Sequence, residues 1–273
     1  MLLSLRDTVK FYGLAAEKSL GQNFLLDEEI VGSIVEKSLK TQSRKDFHDC
    51  NIIEVGPGPG GLTRMILKNS PKSLTVVEMD ERCVRIMQDL KQETDCPFNI
   101  INGDALEFEE KNIAAPRQII SNLPYNISVP LLLKWLAKIA EFEALTLMFQ
   151  KEVAERITAP RCCKDYGRVS VIAQLTCQID ELLDLSPQCF TPAPKVWSRV
   201  LLFRPLKNPV NAQEIAKISQ ITALAFGQRR KMLRQSLKSL PDIIAKLESL
   251  GIPPTARAEE LTPQQFLELS RLY

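Results

Sequence analysis

The 273-residue chain contains a single histidine, which restricts the catalytic chemistry available to it. His48 lies in a polar stretch with no motif around it, so Ser-His-Asp or Cys-His catalysis would depend on a loop histidine that we expect to face solvent. The seven cysteines form no Cys-x-x-Cys pair, and with one histidine no metal site is expected. Reduced thiols in a cytoplasmic protein are therefore predicted.

Long apolar runs and a signal-peptide core are also missing. The longest apolar segments are far shorter than the roughly 20 residues that cross a bilayer. Arg6, Asp7 and Lys10 follow the first apolar residues closely, which is not the pattern of a secretory signal. With 45% hydrophobic and 25% charged residues, the composition is that of a globular cytoplasmic protein, and no association with a membrane is expected.

A glycine-dense turn lies between a short apolar run and a helical pattern. The run Ile52 to Val55 precedes Gly56-Pro57-Gly58-Pro59-Gly60-Gly61, and Leu62 to Lys68 follow. Glycines allow a backbone to turn sharply and to approach a nucleotide closely. The spacing Gly56-x-Gly58-x-x-Gly61 also satisfies the dinucleotide fingerprint, so this motif alone does not separate NAD-dependent enzymes from methyltransferases.

Strand and helix patterns alternate from residue 51 to residue 158. The predicted strands are 51–55, 73–79, 98–102, 117–121 and 143–149, and the predicted helices are 62–69, 81–92, 129–140 and 151–158. This alternation predicts an α/β fold with a parallel sheet, in which ligands bind beyond the carboxyl ends of the strands. The glycine turn, Glu78, Asp104 and Asn122 follow four successive strands, so we expect them to meet at one edge.

The flanking regions are less regular. The sequence predicts a helix over 4–15, a loop without strand structure over 18–25, a helix over 28–39, a helix and a strand within 168–186, and a strand over 196–204. After Pro205 the pattern is purely helical, with predicted helices at 212–226, 229–239, 241–250 and 263–271. We therefore predict one domain over residues 1–205 and a small helical domain over residues 206–273.

Two acids suit an adenosine-bearing cofactor. Glu78 ends the second predicted strand, 17 residues after Gly61, where a carboxylate can accept both ribose hydroxyls. Asp104 follows the third strand and can accept a hydrogen bond from an adenine amino group. A Gly-Asp pair is also common in simple turns, so Asp104 alone is weak evidence.

The segment Asn122-Leu123-Pro124-Tyr125 has the composition needed for chemistry on a base. An exocyclic amino group is a poor nucleophile because its lone pair is delocalised into the ring. The Asn122 side-chain oxygen and the Leu123 carbonyl can accept its hydrogens, while Pro124 stiffens the loop and Tyr125 stacks on a flipped base. This chemistry needs no strong base, although the segment also suits a plain strand-to-helix turn.

Further along, aromatic and basic residues suggest contacts to nucleic acid. Phe190 precedes Thr191-Pro192-Ala193-Pro194-Lys195, so it can stack on a base opposite Tyr125 while Lys195 binds a phosphate, or it can be a core residue before a proline-rich connector. Residues 190–241 contain ten Lys or Arg and one acid, a net +9 against −7 for the remainder. Clustered cations of this kind favour a polyanionic partner over a merely solvated helix face.

Together these segments closely resemble the rRNA adenine N6,N6-dimethyltransferase family, whose members modify two adjacent adenosines in the 3′-terminal hairpin of small-subunit (16S) rRNA. The resemblance covers nearly the whole chain. It depends on Lys18–Leu25, Glu54–Gly61, Glu78, Gly103-Asp104, Asn122–Tyr125, Phe190–Val196, Gln228–Lys231 and Ala256–Leu261.

The resemblance implies a Rossmann-like S-adenosylmethionine-dependent methyltransferase sheet with a small C-terminal all-helical domain. The implied donor-binding residues are Asn23, Leu25, Gly56, Gly58, Glu78, Asp104 and Asn122. The implied catalytic residues are Asn122, Leu123, Pro124, Tyr125 and Phe190. The implied RNA contacts are Lys195, Arg229, Arg230, Lys231 and Arg234. The expected partner is the small ribosomal subunit, as 16S rRNA in a pre-30S particle, bound by a monomer that acts in subunit biogenesis.

One departure from the family pattern and two alternative functions stay open. After Val196 such enzymes usually have an acid, a serine and a small residue, whereas this chain has Trp197-Ser198-Arg199. An NAD-dependent oxidoreductase would explain the glycines and Glu78 but not the Asn122 loop or the basic C-terminal region. A non-catalytic RNA-binding assembly factor would explain the basic region, and it would retain the donor pocket as a relic.

Overall fold

The computed structural model describes residues 3–17 and 22–273, so Lys18 to Gly21 of the predicted N-terminal loop lie outside the described residues. Helices and strands are numbered separately in chain order. The helices are α1 (Leu5–Phe11), α2 (Glu28–Thr41), α3 (Gly61–Lys68), α4 (Glu81–Lys91), α5 (Ser128–Leu136), α6 (Lys151–Thr158), α7 (Arg168–Thr176), α8 (Ala212–Gly227), α9 (Leu233–Ser236), α10 (Ile243–Ser249) and α11 (Pro263–Arg271). The strands are β1 (Phe24–Leu25), β2 (Asn51–Val55), β3 (Ser73–Glu78), β4 (Phe98–Asn102), β5 (Arg117–Asn122), β6 (Ala144–Gln150), β7 (Cys177–Leu185), β8 (Phe190–Thr191) and β9 (Ser198–Pro205).

Seven strands form the main sheet, in the order β4-β3-β2-β5-β6-β9-β7. The pairs from β4 to β6 are parallel, whereas β9 runs antiparallel to β6. All five residues of β2 are buried, as expected for a central parallel strand that is covered on both faces. The predicted α/β Rossmann-like fold is confirmed, and the parallel strands bring their carboxyl ends to one edge.

The helices next to this edge begin at capping residues. The Asp27 carboxylate accepts hydrogen bonds from the backbone N–H groups of Glu29 and Ile30 at the start of α2. Asp80 caps α4 in the same way through Arg82 N–H. Each cap satisfies backbone donors that would otherwise lack a partner, and it fixes where the helix begins beside the sheet.

The predicted loop over 18–25 is wrong at its last two residues. Phe24 and Leu25 form β1, which pairs antiparallel with β8 so that Leu25 lies opposite Phe190. Both partners are two residues long, and they lie more than 160 residues apart in the chain. Because such short strands have no periodicity of their own, the local sequence does not reveal this pairing.

The chain divides into two compact units. The first comprises residues 1–134, 141–151 and 180–204, and the second comprises residues 135–140, 152–179 and 205–273. The chain passes into the second unit for the last time at Pro205, next to the predicted boundary, but this unit also includes α7 and most of α6. Independent domains over 1–205 and 206–273 therefore remain a prediction.

In the second unit, α7, α8 and α11 pack against one another. The Phe226 ring lies between Tyr166 and Phe266, with ring centroids 5.9 and 5.6 Å away. Ion pairs join the elements further, including Arg271 with Glu214 at 2.6 Å. No helix in the described part of the chain is both long and apolar enough to cross a membrane.

The predicted helix over 229–239 is wrong. Residues 228–231 form a turn, and the helix α9 that follows spans only Leu233–Ser236. Leu233 N–H donates to the Ala256 carbonyl, and Met232 forms a β-bridge with Arg257. These tertiary hydrogen bonds replace helical ones, so the adjacent cations lie in a turn and do not open a helix.

Candidate active site

A cavity of about 320 Å³ lies at the carboxyl edge of the sheet, within the first unit. Its lining includes every residue predicted to bind the donor, namely Asn23, Leu25, Gly56, Gly58, Glu78, Asp104 and Asn122. Leu123, Pro124 and Tyr125 line it as well. The strand ends therefore bring together the residues that the sequence pattern singles out from separate segments, as expected for a parallel sheet.

The glycine turn forms the floor of this cavity. Gly56 and Gly58 adopt φ angles of +68° and +54°, in the left-handed region that side chains with a Cβ rarely adopt. In this conformation the Gly58 N–H points to the Glu78 carboxylate, 3.3 Å from Oε2. The turn thus connects the ends of β2 and β3 directly.

Glu78 is 8% exposed and is held by backbone donors. Its Oε1 accepts hydrogen bonds from Met79 N–H at 2.8 Å and Asp80 N–H at 2.9 Å. Burial raises the pKa of Glu78, and these backbone hydrogen bonds oppose the increase. The carboxylate is therefore fixed in orientation at the cavity wall, where it can accept hydrogen bonds from hydroxyl groups.

Glu54 is a second buried acid in the cavity, and the sequence pattern assigned it no role beyond its place in the Glu54–Gly61 segment. It is 1% exposed, and its Oε2 has no hydrogen-bond partner. Burial raises the pKa of Glu54 to about 8. A buried carboxyl oxygen without a partner is rare, because it loses the hydrogen bonds that water would supply.

The charges of the lining discriminate between the two candidate cofactors. Three acids line the cavity (Glu54, Glu78 and Asp104), and among residues 3–17 and 22–273 no Lys, Arg or His does so. The pyrophosphate of NAD is doubly negative, and no cationic side chain among these lining residues would neutralise it. S-adenosylmethionine has a sulfonium and an ammonium group, so it fits the donor set of this cavity, with Glu78 at its ribose.

The N-terminal segment is held beside the cavity by a polar network. The Gln22 side-chain amide donates to Asp80 Oδ2 at 2.9 Å, and Arg82 forms ion pairs with Asp80 and Glu17 at 2.6 and 2.8 Å. Hydrogen bonds from Arg82 lower the pKa of Asp80 to about 2. Asn23 and Leu25 therefore reach the cavity from an anchored segment. The pattern did not single out Asp80 or Arg82, because neither belongs to a motif, and it gave Gln22 no role of its own within Lys18–Leu25.

Asn122 is the last residue of β5, and Leu123 begins the loop that follows. Neither the Asn122 side-chain amide nor the Leu123 carbonyl has a hydrogen-bond partner in the described part of the chain. Two acceptors next to each other are thus free to bind a ligand amino group. The Pro124 carbonyl accepts Ile127 N–H at 3.2 Å, which closes the loop before α5.

Tyr125 is half-buried and anchored through its hydroxyl. The phenolic oxygen lies 2.7 Å from Ser198 Oγ, at the start of β9. Burial raises the pKa of Tyr125, and the hydrogen bond to Ser198 opposes this. The phenol is therefore neutral at pH 7 and does not act as a base. What Tyr125 offers a ligand in the cavity is the face of its ring.

Phe190 is not among the residues that line the cavity. It lies on β8, is 4% exposed and belongs to the hydrophobic core of the first unit. At this exposure the ring offers little surface on which a base could stack. The predicted role of Phe190 in catalysis stays a prediction.

The residues that depart from the family pattern form a charged cluster. Arg199 forms ion pairs with Asp184 and Glu181, both at 2.5 Å. Asp184 also pairs with Lys151 at 2.8 Å, and the Lys151 ammonium lies 5.7 Å from the centre of the Trp197 ring. Arg199 is therefore neutralised by acids, whereas the Trp197 ring is 49% exposed.

The predicted RNA-binding cations differ in their surroundings. Lys195, Arg230, Lys231 and Arg234 are exposed. Arg229, in contrast, pairs with Glu259 at 2.8 Å and donates to the Cys163 carbonyl at 2.8 Å. Its guanidinium is already engaged within the second unit, so a contact between Arg229 and RNA stays a prediction.

Comparison with known proteins agrees with this geometry. The chain is 47% identical to Ribosomal RNA small subunit methyltransferase A of Wolbachia pipientis, over 94% of this chain and 96% of the relative. It is 41% identical to the protein of the same name from Rhodospirillum rubrum, over 98% and 91% of the two chains. The crystal structure of a dimethyladenosine transferase from Plasmodium falciparum shares the fold, with a TM-score of 0.73 at 22% identity over 89% and 94% of the chains.

The sequence pattern of the family described as "Ribosomal RNA adenine dimethylase" matches residues 13–273, which is nearly the entire chain. S-adenosylmethionine is the cofactor, in agreement with the acidic lining of the cavity. The enzyme prediction is thereby confirmed. This chain belongs to the ribosomal RNA adenine dimethylase family.

Proposed function

We propose that this enzyme dimethylates N6 of two adjacent adenosines in the 3′-terminal hairpin of small-subunit (16S) rRNA. The supporting observation is the pair of unpartnered acceptors, Asn122 and the Leu123 carbonyl, in the lining of a cavity that also contains three acids. Relatives 41–47% identical over nearly the full length are named for the small subunit. The substrate is a pre-30S particle in the cytoplasm, and the enzyme acts there as a monomer during subunit biogenesis.

The chain's own residues orient the nucleophile and exclude water. When bound, S-adenosylmethionine supplies an electrophilic methyl group. In the first transfer the Asn122 side-chain oxygen and the Leu123 carbonyl accept hydrogen bonds from the two N6 hydrogens, which helps to localise the nitrogen lone pair. N6 loses one proton to solvent at each transfer, so in the second transfer one hydrogen remains and only one of the two acceptors binds it. Tyr125 holds the flipped adenine ring by stacking, while Glu78 holds the donor ribose. The rate increase comes mainly from this positioning and from desolvation.

Transfer of labelled methyl groups to small subunits that lack the terminal adenosine marks tests the proposal. We expect uptake approaching four methyl groups per subunit with the unaltered enzyme. Asn122→Ala should abolish transfer and leave donor affinity within a few-fold. The matched control is Asn99→Ala, an exposed asparagine on the edge strand β4, which should retain full activity.

The same assay addresses the remaining alternative. Binding to the subunit without any methyl uptake would overturn the proposed dimethylation of 16S rRNA and favour a role for this chain in subunit assembly without catalysis. Comparing pre-30S particles, mature subunits and naked rRNA as substrates tests the assembly stage. Sedimentation of the enzyme alone and with a pre-30S particle tests the monomer.

A further inference from the structure

We propose that Trp197 is a stacking platform for an RNA base that neighbours the target adenosine, and this inference rests on the proposed function. Trp197 is 49% exposed, whereas the other tryptophan, Trp135, is fully buried. The exposed half of this residue contributes no burial to the fold, yet it offers an aromatic face on which any base can stack.

The position of Trp197 relative to the loop after β5, which contains Tyr125, supports this role. Trp197 immediately precedes Ser198, whose hydroxyl is hydrogen-bonded to Tyr125. Its carbonyl accepts Lys151 N–H at 2.8 Å, which continues the β6–β9 ladder by one residue beyond Gln150 and Ser198. Residue 197 therefore lies at the carboxyl edge of the sheet, the same edge as the cavity.

The ring is held in place by the charged cluster around Asp184. The Asp184 carboxylate is hydrogen-bonded to Arg199 Nε at 2.5 Å and to Lys151 Nζ at 2.8 Å. Lys151 is thereby fixed 5.7 Å from the centre of the Trp197 ring, which is a cation–π distance. A preoriented ring loses little conformational freedom when a base stacks on it.

The charge around the ring suits an RNA strand. The positive charges of Lys151 and Arg199 offset the negative charges of Asp184 and Glu181. These four side chains therefore have no net charge beside the ring. Lys195, two residues before Trp197, is exposed and can bind a phosphate. The combination of a stacking ring and a nearby cation is typical of single-stranded nucleic-acid grooves. The two departures from the family pattern, Trp197 and Arg199, thus act together.

Intrinsic fluorescence provides a direct test. Because Trp135 is buried, a change in emission upon addition of RNA reports mainly on Trp197. The probe is an RNA hairpin with two adjacent unmethylated adenosines in its loop, titrated into the full chain with S-adenosylmethionine present. We expect quenching by the RNA, and no RNA-dependent quenching in Trp197→Phe.

Methyl transfer to small subunits that lack the terminal adenosine marks is measured in parallel. Trp197→Ala should raise the KM for RNA about fivefold to a hundredfold, the range expected for one stacked base, with donor affinity unchanged. Trp197→Phe retains a ring and should recover most of this loss. The matched control is Phe11→Ala, which removes another exposed aromatic ring, 74% exposed on α1, and should leave the KM unchanged.

The outcomes separate the two proposals. Normal methylation with no quenching, or with an unchanged KM in Trp197→Ala, would overturn the platform and leave the proposed function intact. Quenching with no methylation by any variant would overturn the proposed function and support Trp197 as an RNA contact.

Discussion

The phenolic oxygen of Tyr125 lies 2.7 Å from the hydroxyl oxygen of Ser198, and this hydrogen bond joins the loop after β5 to the start of β9. Ser198 is fully buried, so its position is set by the strand. Tyr125 is only half-buried and borders the cavity. The rigid strand therefore determines where the ring lies, and Ser198 acts as a positioning residue.

Removing this hydrogen bond should slow methyl transfer without affecting donor binding. We expect Ser198→Ala and Tyr125→Phe each to lower kcat about threefold to tenfold, because a single hydrogen bond contributes about 1 kcal/mol. The double variant should be no slower than the slower single variant, since both substitutions remove one interaction. Fully additive losses, or an unchanged kcat in Ser198→Ala, would contradict the positioning role.

The exposed cations of the turn after α8 should bind phosphates. We expect Arg230→Ala/Lys231→Ala to reduce the slope of log affinity against log salt by about two, because each lost phosphate contact removes about one. Arg229→Ala should instead lower stability by about 1 kcal/mol, since it removes the contacts to Glu259 and the Cys163 carbonyl. RNA affinity at several salt concentrations, with chemical unfolding, separates these effects.

A salt slope that does not change in the double variant would mean that this turn faces away from the RNA. A slope that falls by one further unit when Arg229→Ala is added would show that Arg229 also binds phosphate. That result would confirm the sequence-based prediction despite the engagement of its guanidinium.

Parallel strands of the sheet could be predicted from the sequence. The bounds 51–55 and 98–102 agree with β2 and β4 as observed, and helix 151–158 agrees with α6. Each strand is a short run rich in apolar residues that is followed closely by Gly, which is the pattern of a strand in an alternating α/β fold. The position of the cavity could also be predicted, because parallel strands bring their carboxyl ends together.

The remaining features depend on contacts that are distant in sequence. The pairing of Leu25 with Phe190 joins two-residue strands, so neither segment has a periodicity to recognise. The turn at 228–231 replaces a predicted helix because residues near Ala256 supply the hydrogen bonds. Likewise, the pairing of Arg199 with Asp184 depends on β7 and β9 lying side by side at the edge of the sheet.

The close approach of Gly61 to β1 gives a further prediction. A Cβ at residue 61 would lie 2.8 Å from the Leu25 carbonyl oxygen, so β1 would have to move. Because Leu25 and Asn23 line the cavity, we expect Gly61→Ala to weaken donor affinity at least about tenfold and to lower stability by about 1–3 kcal/mol. Calorimetric titration with S-adenosylmethionine measures the first effect, and chemical unfolding measures the second.

Gly227→Ala is the matched control, because a Cβ there would have no atom within 4 Å. It should leave donor affinity unchanged. If Gly61→Ala bound the donor as tightly as the unaltered enzyme, the N-terminal segment would not be a rigid wall of the cavity.

The buried carboxyl of Glu54 predicts a distinctive dependence of stability on pH. Burial raises its pKa from 4.5 to about 8 in the folded enzyme, so between these values the folded state binds a proton that the unfolded chain releases. The contribution of Glu54 to the free energy of unfolding therefore falls as pH rises from about 4.5 to about 8. Glutamine has a similar shape and cannot titrate, so Glu54→Gln should remove this fall.

Urea unfolding of the enzyme without added donor, at pH 5 and pH 8, measures the effect. We expect Glu54→Gln to gain at least about 1 kcal/mol relative to the unaltered enzyme between these pH values, since one pKa unit corresponds to about 1.4 kcal/mol. Glu36→Gln, on an exposed position of α2, is the control and should show no such gain. If the free energy of unfolding changed equally in Glu54→Gln and in the unaltered enzyme between these pH values, Glu54 would be ionised in the folded state. Water entering the cavity beside Gly58 and Glu78 would then solvate its carboxylate.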